Sequence, residues 1–235
     1  MSLPHGRSSM NRLLARLPQA DLHRMLSGCE TVELAFADVL HRPAEPIACV
    51  YFPMGSVISL VMPIDDASCM EVGLVGNEGM LGMPLALGVH HSPVGAIVQG
   101  AGTALRMAAK SFCGALSRSA ALRRSMDRYV FVQLTQVAQT AACTRFHVVE
   151  ARLARWLLMT QDRAHHATFR ITHEFLASML GVRRVGVTKA AGALQQRGLI
   201  HYSRGTITVV DRPGLEFASC GCYDADRASY KRVLG

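Results

Sequence analysis

Residues 171–210 read ITHEFLASMLGVRRVGVTKAAGALQQRGLIHYSRGTITVV, and this stretch decides the fold of the C-terminal part of the 235-residue chain. Thr172 can cap a helix that starts at His173, because its hydroxyl can accept a hydrogen bond from a backbone N–H of the first turn. Gly181 ends that helix, since glycine readily takes the left-handed conformation found after helix C-termini. A second helix over residues 183–196 then leaves at a steep angle, as in a helix-turn-helix.

The second helix divides into an apolar side and a basic side. On a helical wheel the apolar side contains Val187, Ala191 and Leu194. The outward side contains Arg184, Val185, Thr188 and Lys189. Because Arg and Lys can donate to guanine O6 and N7 and Thr can meet a thymine methyl or a phosphate, this end of the helix is suited to the DNA major groove.

A β-hairpin is predicted directly after the basic helix. Residues 199–202 and 206–210 are rich in β-forming side chains, and Ser203, Arg204 and Gly205 join them. The hairpin therefore carries an arginine at its tip, where it can touch a phosphate. Helix, turn, basic helix and basic-tipped hairpin together predict a winged helix-turn-helix domain.

Composition and charge agree with a folded protein that meets a polyanion. The chain is 50% hydrophobic and 18% charged, which excludes disordered and collagen-like classes. Residues 1–149 hold 12 basic and 10 acidic side chains, whereas residues 150–235 hold 13 and 7, so most of the formal charge of +8 lies in the C-terminal part. This asymmetry favours a polyanionic partner for that part, although a solvated basic face is the alternative.

The N-terminal half shows the spacing of short strands. Apolar runs occur at residues 31–36, 49–52, 57–62, 70–75, 95–98 and 103–107. Six glycines and two prolines between residues 79 and 102 suit the corners of an antiparallel barrel or sandwich. Ahead of the strands, residues 11–26 predict two short helices around Pro18.

Residues 118–142 predict one long helix whose apolar surface is wider than a single neighbour needs. We expect it to pair two chains into a homodimer through Leu122, Met126, Tyr129, Val130, Gln133 and Val137. A core helix of a monomer fits the same pattern, so both interpretations stay open.

Neither a membrane span nor a disulfide framework is predicted. The long uncharged stretches 46–64 and 79–105 are interrupted by Pro and Gly, and residues 1–12 lack an export signal, so we expect a cytoplasmic protein without membrane contact. Seven scattered cysteines are an odd number and do not form a disulfide pattern.

Taken together, these motifs resemble the Crp/Fnr superfamily of bacterial transcription regulators. The match rests on residues 171–210, on Tyr51-Phe52-Pro53 and residues 71–80 upstream, and on residues 141–158 and 219–223. The resemblance implies an α+β fold: a jelly-roll sensor domain of cyclic-nucleotide-binding type (1–117), a dimerisation helix and hinge (118–146) and a winged helix-turn-helix DNA-binding domain (147–235). It also implies a homodimer on double-stranded DNA, contact with RNA polymerase if the protein is an activator, and no enzymatic activity.

The resemblance assigns roles to individual side chains. Thr172 falls at a phosphate-contacting position, and Arg184 and Lys189 fall at base-reading positions. Arg183, Thr188 and Arg204 complete the candidate DNA-binding set. Val185 replaces an acidic base reader and Gly186 lies inside the reading helix, so the DNA sequence that relatives read does not transfer.

The sensor half departs from relatives that bind cyclic nucleotides. Those proteins use a Gly-Glu element and, about a dozen residues later, an Arg-Ser or Arg-Thr pair, whereas the corresponding stretches here are 82–84 and 91–94 and carry neither charge. Since a buried phosphate needs cationic or multiple donors, we expect no cyclic AMP or cyclic GMP and no cofactor. The candidate effector pocket comprises Gly79, Gly82, Met83, Ser92 and Val94.

The cysteines support a weaker hypothesis. Cys143 and His147 are four residues apart on a predicted helix, and Cys220 and Cys222 could add two thiolates to a metal or redox site. Burial of cysteines as small hydrophobic side chains is the favoured interpretation, with residues 143–147 acting as a hinge. A cupin-type metalloenzyme is disfavoured, because the adjacent His90 and His91 would point to opposite faces of a strand. A winged-helix module that binds protein rather than DNA is the remaining alternative.

Overall fold

The computed structural model describes residues 10–65, 69–164 and 166–235. These described residues form two compact units, the first within the ranges 1–60, 75–132 and 234, the second within the ranges 61–74, 133–233 and 235. The expectation about an export signal concerns residues 1–12, of which 1–9 lie outside the described residues. In the described part, no helix combines the length and the apolar character that crossing a membrane requires.

The described residues form the following helices and strands, of which α3, α8 and α9 were not predicted from the sequence. The helices are α1 (Arg12–Ala15), α2 (Gln19–Ser27), a 3₁₀ helix (Met83–Leu87), α3 (Ala109–Arg118), α4 (Ala120–Phe146), α5 (Val149–Ala164), α6 (His173–Leu180), α7 (Arg184–Gln196), α8 (Arg212–Ala218) and α9 (Cys222–Leu234). The strands are β1 (Glu30–Leu34), β2 (Val39–His41), β3 (Cys49–Pro53), β4 (Val57–Pro63), β5 (Cys69–Val75), β6 (Gly95–Gly100), β7 (Gly102–Ala108), β8 (Thr168–Arg170), β9 (Ile200–Ser203) and β10 (Thr206–Val209).

The N-terminal part is rich in β-strand, as predicted. Strands β1, β7 and β3 form one antiparallel sheet, in which Leu105 of β7 pairs with Thr31 on one side and Phe52 on the other. The other sheet has the order β2-β6-β4-β5. All six predicted apolar runs are strands. Strand β2 was missed, because its three residues are not fully buried and carry no apolar alternation.

A buried asparagine fixes the first helix to this β-rich part. Asn11 caps α1 by accepting hydrogen bonds from two backbone N–H groups of its first turn, and its amide donates to the carbonyls of Pro53 and Gly79 at 3.0 and 2.8 Å. The side chain is fully buried. Since an unsatisfied buried amide would cost free energy, this network specifies where α1 packs.

The predicted long helix begins and ends later than the sequence suggested. Arg118 is the last residue of α3, and the hydroxyl of Ser119 accepts a hydrogen bond from Leu122 N at 3.0 Å and so caps α4. The 27 residues of α4 continue to Phe146, so four of the five residues of the predicted hinge, 143–147, are helical. The next helix begins at Val149.

The predicted dimer contacts need correction, because most of those side chains are buried within their own chain. Leu122, Met126, Tyr129 and Gln133 are each less than 5% exposed. The hydroxyl of Tyr129, for example, donates to the carbonyl of Met80 at 3.0 Å. Val130 is half-buried, so only Val137 of the predicted set is exposed. The exposed large apolar side chains of α4 are Phe131, Leu134, Val137 and, at its last residue, Phe146.

In the second unit, helix α5 packs against α7 and α8. The same unit contains a small antiparallel sheet of order β8-β10-β9. Its hairpin of β9 and β10 was predicted, but β8 was not, since a three-residue strand with one buried side chain gives little periodic signal. Ile207 of β10 pairs with Phe169 of β8 and Tyr202 of β9.

Candidate nucleic-acid interface

Helix α6 and the turn after it are determined by residues close to them in sequence. Thr172 Oγ1 accepts a hydrogen bond from Phe175 N at 3.1 Å, which caps the helix. Gly181 follows with φ +60° and ψ +44°, the left-handed conformation expected of a glycine after a helix. A Cβ at this position would lie 2.9 Å from Met70 Sδ, so a larger residue would also displace the flexible Met70 side chain.

Helix α7 presents its two sides as the helical wheel predicts. Val187, Ala190, Ala191 and Leu194 are buried. Arg183, Arg184, Val185, Thr188 and Lys189 are exposed. The apolar side therefore anchors the helix, and the first turns present cationic side chains to solvent.

Contacts between α6 and α7 bring the starts of both helices together. His173 Nδ1 and Thr188 Oγ1 are 3.0 Å apart, and the imidazole stacks on Tyr202 with ring centroids 4.2 Å apart. Arg184 lies 3.9 Å from Glu174, with both side chains more than 70% exposed. At that exposure the ion pair contributes little, so the guanidinium can exchange it for another anion.

The hairpin tip lies beside the start of α6. Ile171 N donates to the carbonyl of Gly205 at 2.7 Å, and the side chain of Thr172 adjoins Gly205. Arg204 is exposed at the tip, with a φ of +49°. The structure thus brings Thr172, Arg184, Thr188 and Arg204 into one neighbourhood. We call the exposed set Thr172, Arg183, Arg184, Thr188, Lys189 and Arg204 the basic surface.

One predicted donor of the basic surface is already engaged. The hydroxyl of Thr188 donates to the carbonyl of Arg184 at 3.1 Å and faces His173 Nδ1. The side chain therefore offers its methyl group, rather than a free hydroxyl, to a partner. The hydroxyl of Thr172 differs, because it accepts the bond from Phe175 N that caps α6 and keeps its O–H group able to donate.

Two further residues belong to this neighbourhood and were not predicted. Arg170 is exposed on β8, two residues before Thr172, and the exposed-buried-exposed pattern of this strand was the available signal. His173 orients Thr188 and stacks on Tyr202. Burial, reinforced by Arg184, lowers the pKa of His173 below its ordinary 6.5, so the folded chain favours the neutral imidazole.

The predicted effector residues lie around the 3₁₀ helix of the first unit. Gly82 precedes this helix at φ +100°, and Met83 begins it. A Cβ on Gly82 would lie 2.7 Å from Val50 Cγ1, and one on Gly79 would collide with the Tyr129 ring. The two glycines therefore permit the close approach of the Val50 and Tyr129 side chains, and their predicted role in an effector pocket stays a prediction. Ser92 Oγ accepts from Val94 N at 3.0 Å in the following turn.

The four metal-ligand candidates, distant in sequence, converge in the second unit. Cys143 Sγ lies 3.5 Å from Cys220 Sγ, and Cys222 Sγ lies 3.5 Å from His147 Nδ1. The three thiols are buried and the imidazole is exposed. The hydrogen bond with Cys220 lowers the pKa of Cys143 to about 5, and the same bond raises the pKa of Cys220.

Comparison with known proteins identifies the domain that carries the basic surface. Residues 151–218 match the family described as the Crp-like helix-turn-helix domain. No curated protein sequence matches the chain closely enough to count as a relative.

Several solved structures share the fold over most of the chain. A proposed transcriptional regulator of the Crp/Fnr family from Eubacterium rectale is 18% identical, with 88% of this chain and 96% of that one aligned and a TM-score of 0.69. FixK2 from Bradyrhizobium japonicum is 13% identical, covers 82% and 98%, and has a TM-score of 0.69. The c-di-GMP responsive global regulator CLP of Xanthomonas campestris is 17% identical, covers 82% and 99%, and has a TM-score of 0.66.

These matches confirm the resemblance and the fold class, a β-rich N-terminal part followed by helices and a C-terminal helix-turn-helix. At identities below 20% the structural likeness establishes the fold alone. The chain thus carries a Crp-like helix-turn-helix domain at residues 151–218, within the fold of the Crp/Fnr transcriptional regulators.

Proposed function

We propose that this protein is a homodimeric transcription regulator that binds double-stranded DNA in a sequence-specific manner. The observation that carries the proposal is the basic surface, in which the exposed start of α7, the cap of α6 and the hairpin tip adjoin one another. Exposed cations at the start of the second helix of a helix-turn-helix are the groups that enter the major groove.

The side chains divide into base readers and phosphate contacts. Arg184 and Lys189 lie on the exposed side of α7 and can donate to guanine O6 and N7, while the methyl group of Thr188 can pack on a thymine methyl. Arg204 at the hairpin tip and Arg183 before α7 are suited to phosphates, as are the backbone N–H groups at the start of α6, next to Thr172.

Dimerisation through α4 is supported by a stripe of exposed apolar side chains rather than by the set predicted from sequence. Phe131, Leu134 and Val137 are 52%, 66% and 41% exposed, and they recur every three residues along the helix. A second copy of the same helix would cover this stripe, as a twofold axis pairs like with like. Twofold pairing would place two α7 helices about 34 Å apart, one turn of DNA.

The signal that reaches the first unit is proposed to be something other than a cyclic nucleotide. The stretch 82–84 contributes a packed glycine and the start of a 3₁₀ helix, and no arginine occurs in residues 91–94. Neither stretch therefore supplies the cationic partner that burial of a phosphate demands. If the protein activates transcription, RNA polymerase is the expected protein partner.

The test compares Arg184→Ala with Arg204→Ala in fluorescence-anisotropy titrations. A DNA site selected from a random pool and a scrambled duplex of equal length serve as probes. Arg184→Ala should lose about 1–3 kcal/mol of binding free energy on the selected site and relax the preference at one base pair. Arg204→Ala should weaken binding to both duplexes alike and reduce the slope of log K against log salt by about one.

Arg232→Ala is the matched control, since it removes the same charge from an exposed position on α9 that lies outside the basic surface. It should leave the selectivity for the selected site unchanged. Equal losses on both duplexes for Arg184→Ala would contradict its role as a base reader. A wild-type chain that ignores duplex DNA at low ionic strength would refute the function and leave the protein-binding module as the alternative.

A further inference from the structure

The residues Cys143, His147, Cys220 and Cys222 form a cluster from two segments of the second unit that are distant in sequence. Cys143 lies in the last turn of α4, and His147 follows that helix directly. Cys220 lies in the turn after α8, and Cys222 is the first residue of α9. One ligand atom from each residue, three Sγ and one imidazole nitrogen, lies within 4.8 Å of all the others.

Two of the distances between ligand atoms are close to those around a single tetrahedral ion. Zinc bonds of about 2.3 Å to sulfur and 2.0–2.1 Å to nitrogen, at tetrahedral angles, put two sulfurs about 3.8 Å apart and a sulfur and a nitrogen about 3.6 Å apart. The cluster shows 3.5 Å between Cys143 Sγ and Cys220 Sγ and 3.5 Å between Cys222 Sγ and His147 Nδ1. The other pairs of ligand atoms lie within 4.8 Å, so shifts of at most about 1 Å would bring all of them to tetrahedral distances.

The surroundings suit a site that carries net negative charge. Three thiolates and one Zn²⁺ sum to a single negative charge, and Gln139 Nε2 donates a hydrogen bond to Cys222 Sγ at 2.9 Å. The buried guanidinium groups of Arg152 and Arg155 interact electrostatically with Cys143. Donors around ligating thiolates orient them and stabilise their charge, as outer-shell partners of metal sites do.

Packing alone does not account for the arrangement. Three cysteines with Ala151 would suffice as a small apolar cluster, and such a cluster has no use for an imidazole nitrogen directed at one of its thiols. A disulfide would use two of the three sulfurs and leave the third and the histidine without a role.

We propose that Cys143, His147, Cys220 and Cys222 bind one zinc ion per chain in a closed tetrahedral site. Three thiolates and one imidazole are a donor set of structural zinc sites, whereas magnesium and calcium favour oxygen ligands. Each thiol releases its proton to solvent as it binds the ion. The ion would join the end of α4 to the start of α9, and this inference does not depend on DNA binding.

The experiment uses the full chain, purified under reducing conditions. Elemental analysis gives the zinc content per chain, and after removal with a chelator the protein is titrated with Co²⁺ as an optical probe. We expect one ion per chain and the thiolate-to-cobalt and d–d absorption bands of a tetrahedral sulfur-rich site. Zinc should compete the cobalt away and raise the thermal unfolding midpoint.

Variants then assign the ligands. Cys222→Ser and Cys143→Ser should abolish the tetrahedral cobalt spectrum, while Cys113→Ser, in α3 of the first unit, should bind cobalt as the wild type does. His147→Ala replaces an exposed side chain, so the fold should survive, and the cobalt affinity should fall by at least the 10- to 100-fold that loss of an outer-shell partner causes.

Three outcomes would overturn the proposal. One is a reduced wild-type chain that takes up neither zinc nor cobalt. Another is a tetrahedral cobalt spectrum that persists unchanged in Cys222→Ser or His147→Ala. The third is a chain that forms a Cys143–Cys220 disulfide under mild oxidation while its reduced form binds no metal, which would make the cluster a redox pair.

Discussion

Replacing Asp226 by alanine should destabilise the second unit strongly, because it leaves a buried guanidinium without its counter-ion. Arg155 Nη2 and Nε donate to Asp226 Oδ2 at 2.6 and 3.2 Å, and the two side chains are 8% and 6% exposed. In the variant Arg155 keeps a 3.3 Å hydrogen bond to Thr140 but loses both bonds to the carboxylate. Breaking one side of a buried ion pair costs about 3–5 kcal/mol.

The assay follows Trp156, the only tryptophan of the chain. Its indole is 4% exposed and donates to Glu71 Oε1 at 2.9 Å within the same unit, so its emission reports the unfolding of that unit rather than of the whole chain. With an m value of about 1.5 kcal/mol/M, a loss of 3–5 kcal/mol lowers the urea midpoint by about 2–3 M.

Two further variants separate the ion pair from simple loss of charge. Asp224→Ala removes an 83% exposed carboxylate from the same helix and should cost no more than about 1 kcal/mol. Arg155→Met combined with Asp226→Leu removes both charges and should recover most of the stability that Asp226→Ala loses. A cost below about 1 kcal/mol for Asp226→Ala, or a double variant no better than the single one, would refute this reasoning.

Two further predictions concern the stability of the helix-turn-helix, α6 and α7. A Cβ on Gly186 of α7 would meet no atom within 4 Å, so Gly186→Ala should stabilise the second unit by about 0.5–1 kcal/mol; a lower urea midpoint by Trp156 emission would contradict this. Because the pKa of His173 is lowered on folding, the unfolded chain binds the proton more readily, and stability should decline as the pH falls below 6.5. His173→Gln should flatten that decline in urea titrations from about pH 7 to about pH 5, and an unchanged pH dependence would exclude the imidazole as its source.

The helix-turn-helix was predictable because its determinants are local. A capping threonine, a glycine in the left-handed conformation and the helical spacing of Val187, Ala191 and Leu194 each act over a few residues, and each has the predicted effect. The wing hairpin was predictable for the same reason. The sequence could not show which exposed hydroxyl can still donate to a partner. Thr188 is engaged by a histidine fifteen residues away.

The long helix shows what periodicity leaves open. An apolar side chain at helical spacing is compatible with burial in its own chain or against a second chain, and the same pattern describes both. Tyr129 is buried because Gly79 leaves room for its ring and Met80 offers a carbonyl, which are contacts fifty residues away in sequence. The start of the helix was misplaced because Ser119 ends one helix and caps the next within a single residue.

The cysteine cluster depends on contacts between residues that are even more distant in sequence. Sequence spacing relates Cys143 to His147 and Cys220 to Cys222, but the pairing between these two halves spans 77 residues and depends on how α9 returns to α4. This convergence favours a metal site over burial of the cysteines as small hydrophobic side chains. Small hydrophobic side chains can pack without bringing four ligand atoms together.

The two proposals fail independently, because they share no side chain. The basic surface consists of residues of α6, α7 and the hairpin tip, whereas the zinc ligands lie at the end of α4 and around the start of α9. A metal-free chain that still discriminates between selected and scrambled DNA would make the ion a structural cross-link. A chain that loses discrimination with the metal and regains it with zinc would link the ligand cluster to the placement of α7. Since Arg184→Ala leaves all four ligands in place, its zinc content should equal that of the wild type under either result.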